Sequence, residues 1–211
     1  VQIIGSDLLF LLKKLPRLEK LDLFFSYTQD EEIYKNYFKK LLSIAKCLKV
    51  LKLDFSYCYD LNDAELRDLA QGLKRLSYAK RVELNLNSCL CVTDEGLRPL
   101  LRSLNRVVSL QSLNLSLLEC SQITYNPFSE LGKRLRARQM LELNLDFTCC
   151  EELDDVYLAE VSENIKALKK LKKLNLNFNR CIQITDDGFS SLTDSLSQLK
   201  ELRSLKLQLR E

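Results

Sequence analysis

The chain has 211 residues, 46% hydrophobic and 29% charged, with 32 basic against 29 acidic side chains. Such a composition suits a soluble protein with a substantial core, and a net charge of +3 is too even to argue for nucleic acid or a membrane surface. There is no histidine, which removes the commonest general base and the commonest metal ligand together.

Residues 1–18, with the apolar run "LLFLL" from Leu8, read as the loop and helix of a preceding unit, and the run is far too short to span a bilayer. From Leu18 the chain reads "LEKLDLFFSYT", and this pattern returns as "LKVLKLDFSYC" from Leu48 and "AKRVELNLNSC" from Ala79. Further copies are "LQSLNLSLLEC" from Leu110, "MLELNLDFTCC" from Met140, "LKKLNLNFNRC" from Leu171 and "LRSLKLQL" from Leu202. The second apolar position of each copy is Leu21, Leu51, Val82, Leu113, Leu143, Leu174 and Leu205, with successive gaps of 30, 31, 31, 30, 31 and 31 residues. Within a copy two periods alternate. Leu174, Leu176 and Phe178 are two apart, the strand signal, and point inward. After the polar turn "NRCIQITDD", Phe189, Leu192, Leu196 and Leu199 fall at helical spacing. The third copy repeats this with Val82, Leu84 and Leu86, then Leu97, Leu100, Leu101 and Leu104. Each unit is strand, loop, helix, and no unit can bury its own apolar face, so units must stack on one continuous core.

Leu-x-x-Leu-x-Leu, then Cys, then hydrophobic-Thr-Asp-x-Gly-hydrophobic resembles the leucine-rich repeats, in particular the ribonuclease-inhibitor-like and cysteine-containing subclasses. The match is fullest at Val92-Thr93-Asp94-Glu95-Gly96-Leu97 and Ile184-Thr185-Asp186-Asp187-Gly188-Phe189. It weakens at "LNDAEL", "ITYNPF" and "LDDVYL", where the glycine is lost, and most of all at "TQDEEIYKNYF" in the first copy. The resemblance implies an α/β horseshoe, a leucine-rich-repeat solenoid with a parallel concave sheet of about seven strands and convex helices. The expected organisation is a single domain over residues 1–211. Val1 is not a start methionine and only Arg210 and Glu211 follow the last strand, so a fragment of a longer solenoid without terminal caps is expected.

The cysteine column Cys58, Cys89, Cys120, Cys150 and Cys181, with Thr28 in the first copy, runs one residue per unit instead of converging as metal ligands do. It reads as small buried residues turning the chain after each strand, in the reduced state of a cytoplasmic protein. Thr93-Asp94, Thr185-Asp186, Asn62-Asp63 and Asp154-Asp155 read as helix caps. The same position in several units argues against glycosidase-like carboxylate pairs at Asp154-Asp155 or Asp186-Asp187. The outward strand positions form two columns. One is Asp22, Lys52, Glu83, Asn114, Asn144, Asn175 and Lys206; the other is Phe24, Asp54, Asn85, Ser116, Asp146, Asn177 and Gln208. These are the candidate partner-binding residues of the concave face, weighed against a solvated surface of side-chain amides bonded along the ladder. The basic runs "GKRLRARQ" (132–139) and "KALKKLKKL" (166–174) have no interleaved aromatics, which counts against single-stranded nucleic acid.

No phosphate-binding glycine loop and no nucleophile–base pair is present. The expectation is a non-catalytic protein-binding or scaffolding module without cofactor or metal, cytoplasmic, not membrane-bound, and within a larger assembly. The resemblance also implies two other classes. One is an enzyme regulator, such as a small-GTPase activator or an enzyme inhibitor. The other is the substrate-recognition arm of an F-box-type ubiquitin ligase.

Overall fold

The structure is a computed structural model that describes residues 5–27, 37–123 and 140–210. In chain order the elements are α1 (Gly5–Lys13), β1 (Lys20–Phe24), α2 (Tyr37–Ile44), β2 (Val50–Asp54), α3 (Asp63–Leu73), β3 (Arg81–Asn85), α4 (Asp94–Leu104), β4 (Ser112–Ser116), β5 (Glu142–Asp146), α5 (Asp155–Lys166), β6 (Lys173–Asn177), α6 (Asp186–Ser197) and β7 (Ser204–Gln208). Thr28, most of the "TQDEEIYKNYF" loop, all but the first residue of "ITYNPF" and the basic run 132–139 lie outside the described residues.

Seven strands form one sheet in chain order, every neighbouring pair parallel. Parallel neighbours require a crossover, and α2, α3, α4, α5 and α6 supply it in the described connections. The register is one lap per strand: Leu21 pairs with Leu51, Val82, Leu113, Leu143, Leu174 and Leu205 in succession. A slip of one residue would turn every leucine to solvent, so the 30–31-residue rhythm of the sequence is the rhythm of the coil.

The inward stripe is the core. Leu51, Leu53, Val82, Leu84, Leu113, Leu115, Leu143, Leu145, Leu174 and Leu176 are all buried, each contributing about 1.5–3 kcal/mol. On the helices, Leu97, Leu100, Leu101 and Leu104 are likewise buried, while in α6 Leu192 is buried and Phe189 and Leu196 partly so, with Leu199 buried just beyond the helix. A third inward position adds aromatic stacking: Phe25 on Phe55 at 5.2 Å with Phe38 edge-on to both, and Phe147 on Phe178 at 5.2 Å. Such pairs add about 0.5–1.5 kcal/mol beyond burial. The end laps are less covered, with Leu23 of β1 only partly buried and Leu205 of β7 47% exposed.

The cysteine column is buried, as the repeat implied. The turn itself falls one residue earlier than expected. Tyr57, Ser88, Glu119, Cys149 and Arg180 take left-handed backbone, with φ from 56° to 60°, and so does Tyr27 at 62°. None is glycine and none is β-branched, the class for which this region is most costly. Each cysteine then sits with its thiol against the preceding lap. Cys58 Sγ donates to Phe25 O, Cys89 to Phe55 O, Cys120 to Leu86 O, Cys150 to Leu117 O and Cys181 to Phe147 O, at 3.0–3.2 Å. The column is therefore a ladder of weak hydrogen bonds linking adjacent turns where the strand ladder ends.

Candidate functional site: the outer face of the sheet

Alternation places the two outward columns together on one face. Asp22, Lys52, Glu83, Asn114, Asn144, Asn175 and Lys206 are in register across the seven strands, and so are Phe24, Asp54, Asn85, Ser116, Asp146, Asn177 and Gln208. All of them except Asn177 line a single concavity of about 480 Å³ that runs from β1 to β7. Most are half-buried, whereas Phe24 is 73% exposed.

Several of these side chains are already occupied within the chain. Asn144 Nδ2 donates to Asn114 Oδ1 at 3.0 Å and Asn175 Nδ2 to Asn144 Oδ1 at 2.7 Å, an amide ladder across three strands. Lys52 Nζ lies 2.8 Å from Glu83 Oε2, and Lys20 Nζ 2.9 Å from Asp22 Oδ2. In the second column Asp54, Asn85, Asp146 and Asn177 each accept the backbone N–H two residues on, from Ser56, Asn87, Thr148 and Asn179, at 2.9–3.1 Å. These are Asx turns, and they steer the chain out of the strand. Burial alone would raise the Asp54 carboxyl pKa. Bonds from the Ser56 hydroxyl and N–H and from the Ser26 hydroxyl outweigh it, and the pKa lies below the usual value. Two acceptors on this face, Asp22 Oδ1 and Asn175 Oδ1, have no hydrogen bond among the described residues.

The edge where strands end and helices begin is built from small polar side chains. Asn62, Thr93, Asp154 and Thr185 are the N-caps of α3, α4, α5 and α6, as their positions predicted. What the repeat did not reveal is a bond between laps. Asp63 accepts from Thr93 N–H and Oγ1 of the next lap at 2.9 and 2.7 Å, and Asp155 accepts from Thr185 N–H and Oγ1 at 2.7 and 2.6 Å. The glycine of the Thr-Asp-x-Gly step explains itself here. A Cβ on Gly96 would collide with the Asp63 carboxylate, and one on Gly188 with that of Asp155. Bonds from the Thr185 side chain and backbone, with one from Gly188 N–H, hold the Asp155 pKa below its usual value. The adjacent carboxylates are thus capping and linking groups.

The buried thiols are poor nucleophiles. Desolvation raises Cys120 and Cys181 to about 12 and pushes Cys89 and Cys150 higher still, so their reactive thiolates are scarce at neutral pH. None of the eight cysteines is in a disulfide. Among the described residues no three His, Cys, Asp or Glu side chains are placed to hold a metal ion, and no helix is long and apolar enough to cross a membrane.

Two groups on this side escaped the two-column reading. At the strand ends Tyr27 stacks on Tyr57 at 4.7 Å and Tyr59 meets Tyr57 edge-on at 6.5 Å, with Tyr27 68% exposed. The repeated "FSY" at 25–27 and 55–57 was the available signal. At the strand starts Glu142 is held between Arg81 and Lys173, at 3.0 Å from each. The Lys173 hydrogen bond, opposed by partial burial and aided by the charges of Lys173 and Arg81, keeps the Glu142 pKa below its usual value. That pairing spans β3 to β6 and needs the register to be seen.

No known protein family matches the sequence, and no curated protein matches it. Solved structures do share the fold. A structure of the leiomodin-1 actin-binding site 2 superposes with a TM-score of 0.53 at 19% identity, over 81% of this chain and 90% of that one. The C-terminal domain of a Caenorhabditis elegans tropomodulin superposes with a TM-score of 0.50 at 14% identity, over 93% of each. With seven parallel strands in chain order, described helices in five of the six connections and an open sheet, the fold of this chain is that of a leucine-rich-repeat solenoid.

Proposed function

We propose that this chain is a non-catalytic protein-binding module of the cytoplasm, working within a larger assembly, and that its partner docks on the concave face. The observation that carries this reading is the concavity of about 480 Å³, lined along all seven strands by one polar, half-exposed set of side chains. A solenoid sheet of this kind offers an extended site for a macromolecule more readily than a pocket for a small one. Phe24 supplies an exposed aromatic at one end, the residue class that dominates binding energy at interfaces. The fold has a precedent for binding protein, since the leiomodin-1 domain is named as an actin-binding site. Raised thiol pKa values argue against nucleophilic catalysis, and eight cysteines outside any disulfide fit a reducing compartment.

Ser116 allows a clean test, because it lies mid-face on β4 and no side-chain hydrogen bond is seen to it. The parent protein and a Ser116→Arg variant would be affinity-purified under reducing conditions and the retained proteins identified by mass spectrometry. A protein kept by the wild type and lost from a variant with unchanged thermal stability supports the reading. Equal retention by both sinks the concave-face assignment.

A further inference from the structure

The sheet has two rims of opposite character. Where strands end and helices begin, the chain is acidic, as at Asp60, Glu95, Glu151 and Asp187; where helices end and strands begin, it is basic. Basic residues near helix C-termini complement the helix dipole, which accounts for a general excess of lysine on that rim. It does not account for one patch between α3 and β3 and between α4 and β4. Tyr78 is 64% exposed there and Val108 69% exposed. They belong to adjacent laps, and Ser109 brings the two turns together. Its hydroxyl donates to Ser77 O at 3.0 Å and to Ala79 O at 2.7 Å, the carbonyls on either side of Tyr78. The ladder continues below them, with Gln111 N–H bonded to Lys80 O at 2.8 Å. Near this pair in the same turns stand Lys74, Arg75, Lys80 and Arg106, all exposed, and no carboxylate among the described residues is paired with any of them. Arg75 and Arg106 occupy equivalent places in the two stacked laps, 31 residues apart in the sequence as Lys80 and Gln111 are. Like charges at equivalent sites of stacked turns repel, and among the described residues no ion pair offsets them.

We propose that this patch is a docking site for an acidic, extended segment of a partner protein, its carboxylates between the cations and an apolar side chain against Tyr78 and Val108. The same rim already shows the chemistry. Glu142, at the start of β5, is clamped at 3.0 Å by both Arg81 and Lys173, and Glu19, just before β1, by Lys49 at 2.6 Å. Arginine and tyrosine together are the usual makings of an interface hot spot. A single-stranded nucleic acid needs successive aromatic platforms, and Tyr78 is the one exposed aromatic in the described turns of this rim. The proposal concerns a surface away from the concave face and stands or falls independently of that face.

The test uses a fluorescent acidic peptide, DEDLFEDE, its apolar-deleted counterpart DEDSSEDE, an oligothymidylate and phosphatidylserine vesicles, with binding followed by anisotropy or co-sedimentation. The variants are Tyr78→Ser, Arg106→Glu and, as a control at the far end of the same rim, Lys200→Glu; all three positions are exposed, and circular dichroism melts would check folding. The expected result is binding of DEDLFEDE by the wild type, about tenfold weakened in Tyr78→Ser and in Arg106→Glu and for DEDSSEDE, and unchanged in Lys200→Glu. The proposal is overturned if the wild type does not bind DEDLFEDE, if the two peptides bind alike, if Lys200→Glu weakens binding as much as Arg106→Glu, or if only the oligothymidylate or the vesicles bind in a way that depends on Tyr78 and Arg106.

Discussion

The two rims of the sheet are made by the same lap of chain and differ in what their side chains do. On the strand-end rim Cys58, Cys89, Cys120, Cys150 and Cys181 bond backward to the previous lap, and Asp63 and Asp155 bond forward to the next. On the strand-start rim Lys74, Lys80, Lys169 and Lys170 reach into solvent with no ion pair among the described residues. A side chain that links laps must recur wherever the link recurs, so the first rim repeats in sequence. A side chain that only meets solvent or a partner is under no such demand, and the second rim varies. Repetition in this molecule therefore marks construction, and the exceptions to it mark the places where a partner can be selected.

The largest difference is expected in thiol reactivity, because cysteine occurs on both rims. Cys47, on the strand-start side, is exposed; Cys89, Cys120 and Cys181 are buried with raised pKa values. Under native conditions at neutral pH, maleimide should modify Cys47 and Cys91 at least about a hundredfold faster than the buried column, which must await local opening. After denaturation the rates should converge. Rapid native modification of the column, read by peptide mass spectrometry, would dissolve the distinction between the rims.

Gly188→Ala sharpens it further, because the sign of the effect is diagnostic. Inside a helix, alanine in place of glycine ordinarily stabilises by about 0.5–1 kcal/mol. Gly188 lies in α6, but a Cβ there would drive into the Asp155 carboxylate. Destabilisation of about 1–3 kcal/mol is expected, measured by urea unfolding. A stabilised variant would mean that the lock between laps can shift aside at no cost.

Removing the lock's charge is a smaller change. Asp155→Asn leaves an acceptor for one of the Thr185 bonds, so the loss at neutral pH should be about 1 kcal/mol after allowance for solvent exposure. The pH dependence follows from the lowered folded-state pKa of Asp155. The unfolded chain binds the proton more readily, so the contribution is fully present above the ordinary aspartate pKa and is lost as pH falls through the depressed one. Wild type and variant should then converge in stability in acid, while a constant gap at all pH values would assign the difference to shape alone.

The fold was legible because it is written seven times. Leu21 through Leu205 set the register, and every strand pair obeys it. The N-caps Thr93 and Thr185 were legible for the same reason, each opening a helix at the same step. The membership of the outer face was legible too, since alternation assigns faces without any knowledge of contacts. Contacts between laps were not. Asp63 meets Thr93 across 30 residues and Arg81 meets Glu142 across 61, and nothing in either local stretch distinguishes a carboxylate that links laps from one that caps its own helix. The left-handed turns at Ser88, Glu119 and Arg180 were hidden because neither glycine nor asparagine marks them. Tyr78 and Val108 were invisible for a third reason: each is an ordinary loop residue until Ser109 joins the two loops.

The smallest expected effect completes the contrast. Lys170 is exposed on the strand-start rim beyond α5 and makes no ion pair among the described residues. Lys170→Glu reverses a charge where no side chain depends on it, and stability should change by less than about 0.5 kcal/mol. Its near-silence in a thermal melt has to be read beside Gly188→Ala, which adds one methyl group on the other rim. If the charge reversal were the more damaging of the two, the exposed cations of the strand-start turns would be holding the laps together, as Arg81 and Lys173 do through Glu142. Their freedom to engage a partner would then be lost, because a side chain committed to the fold cannot be given up to an interface without destabilising both.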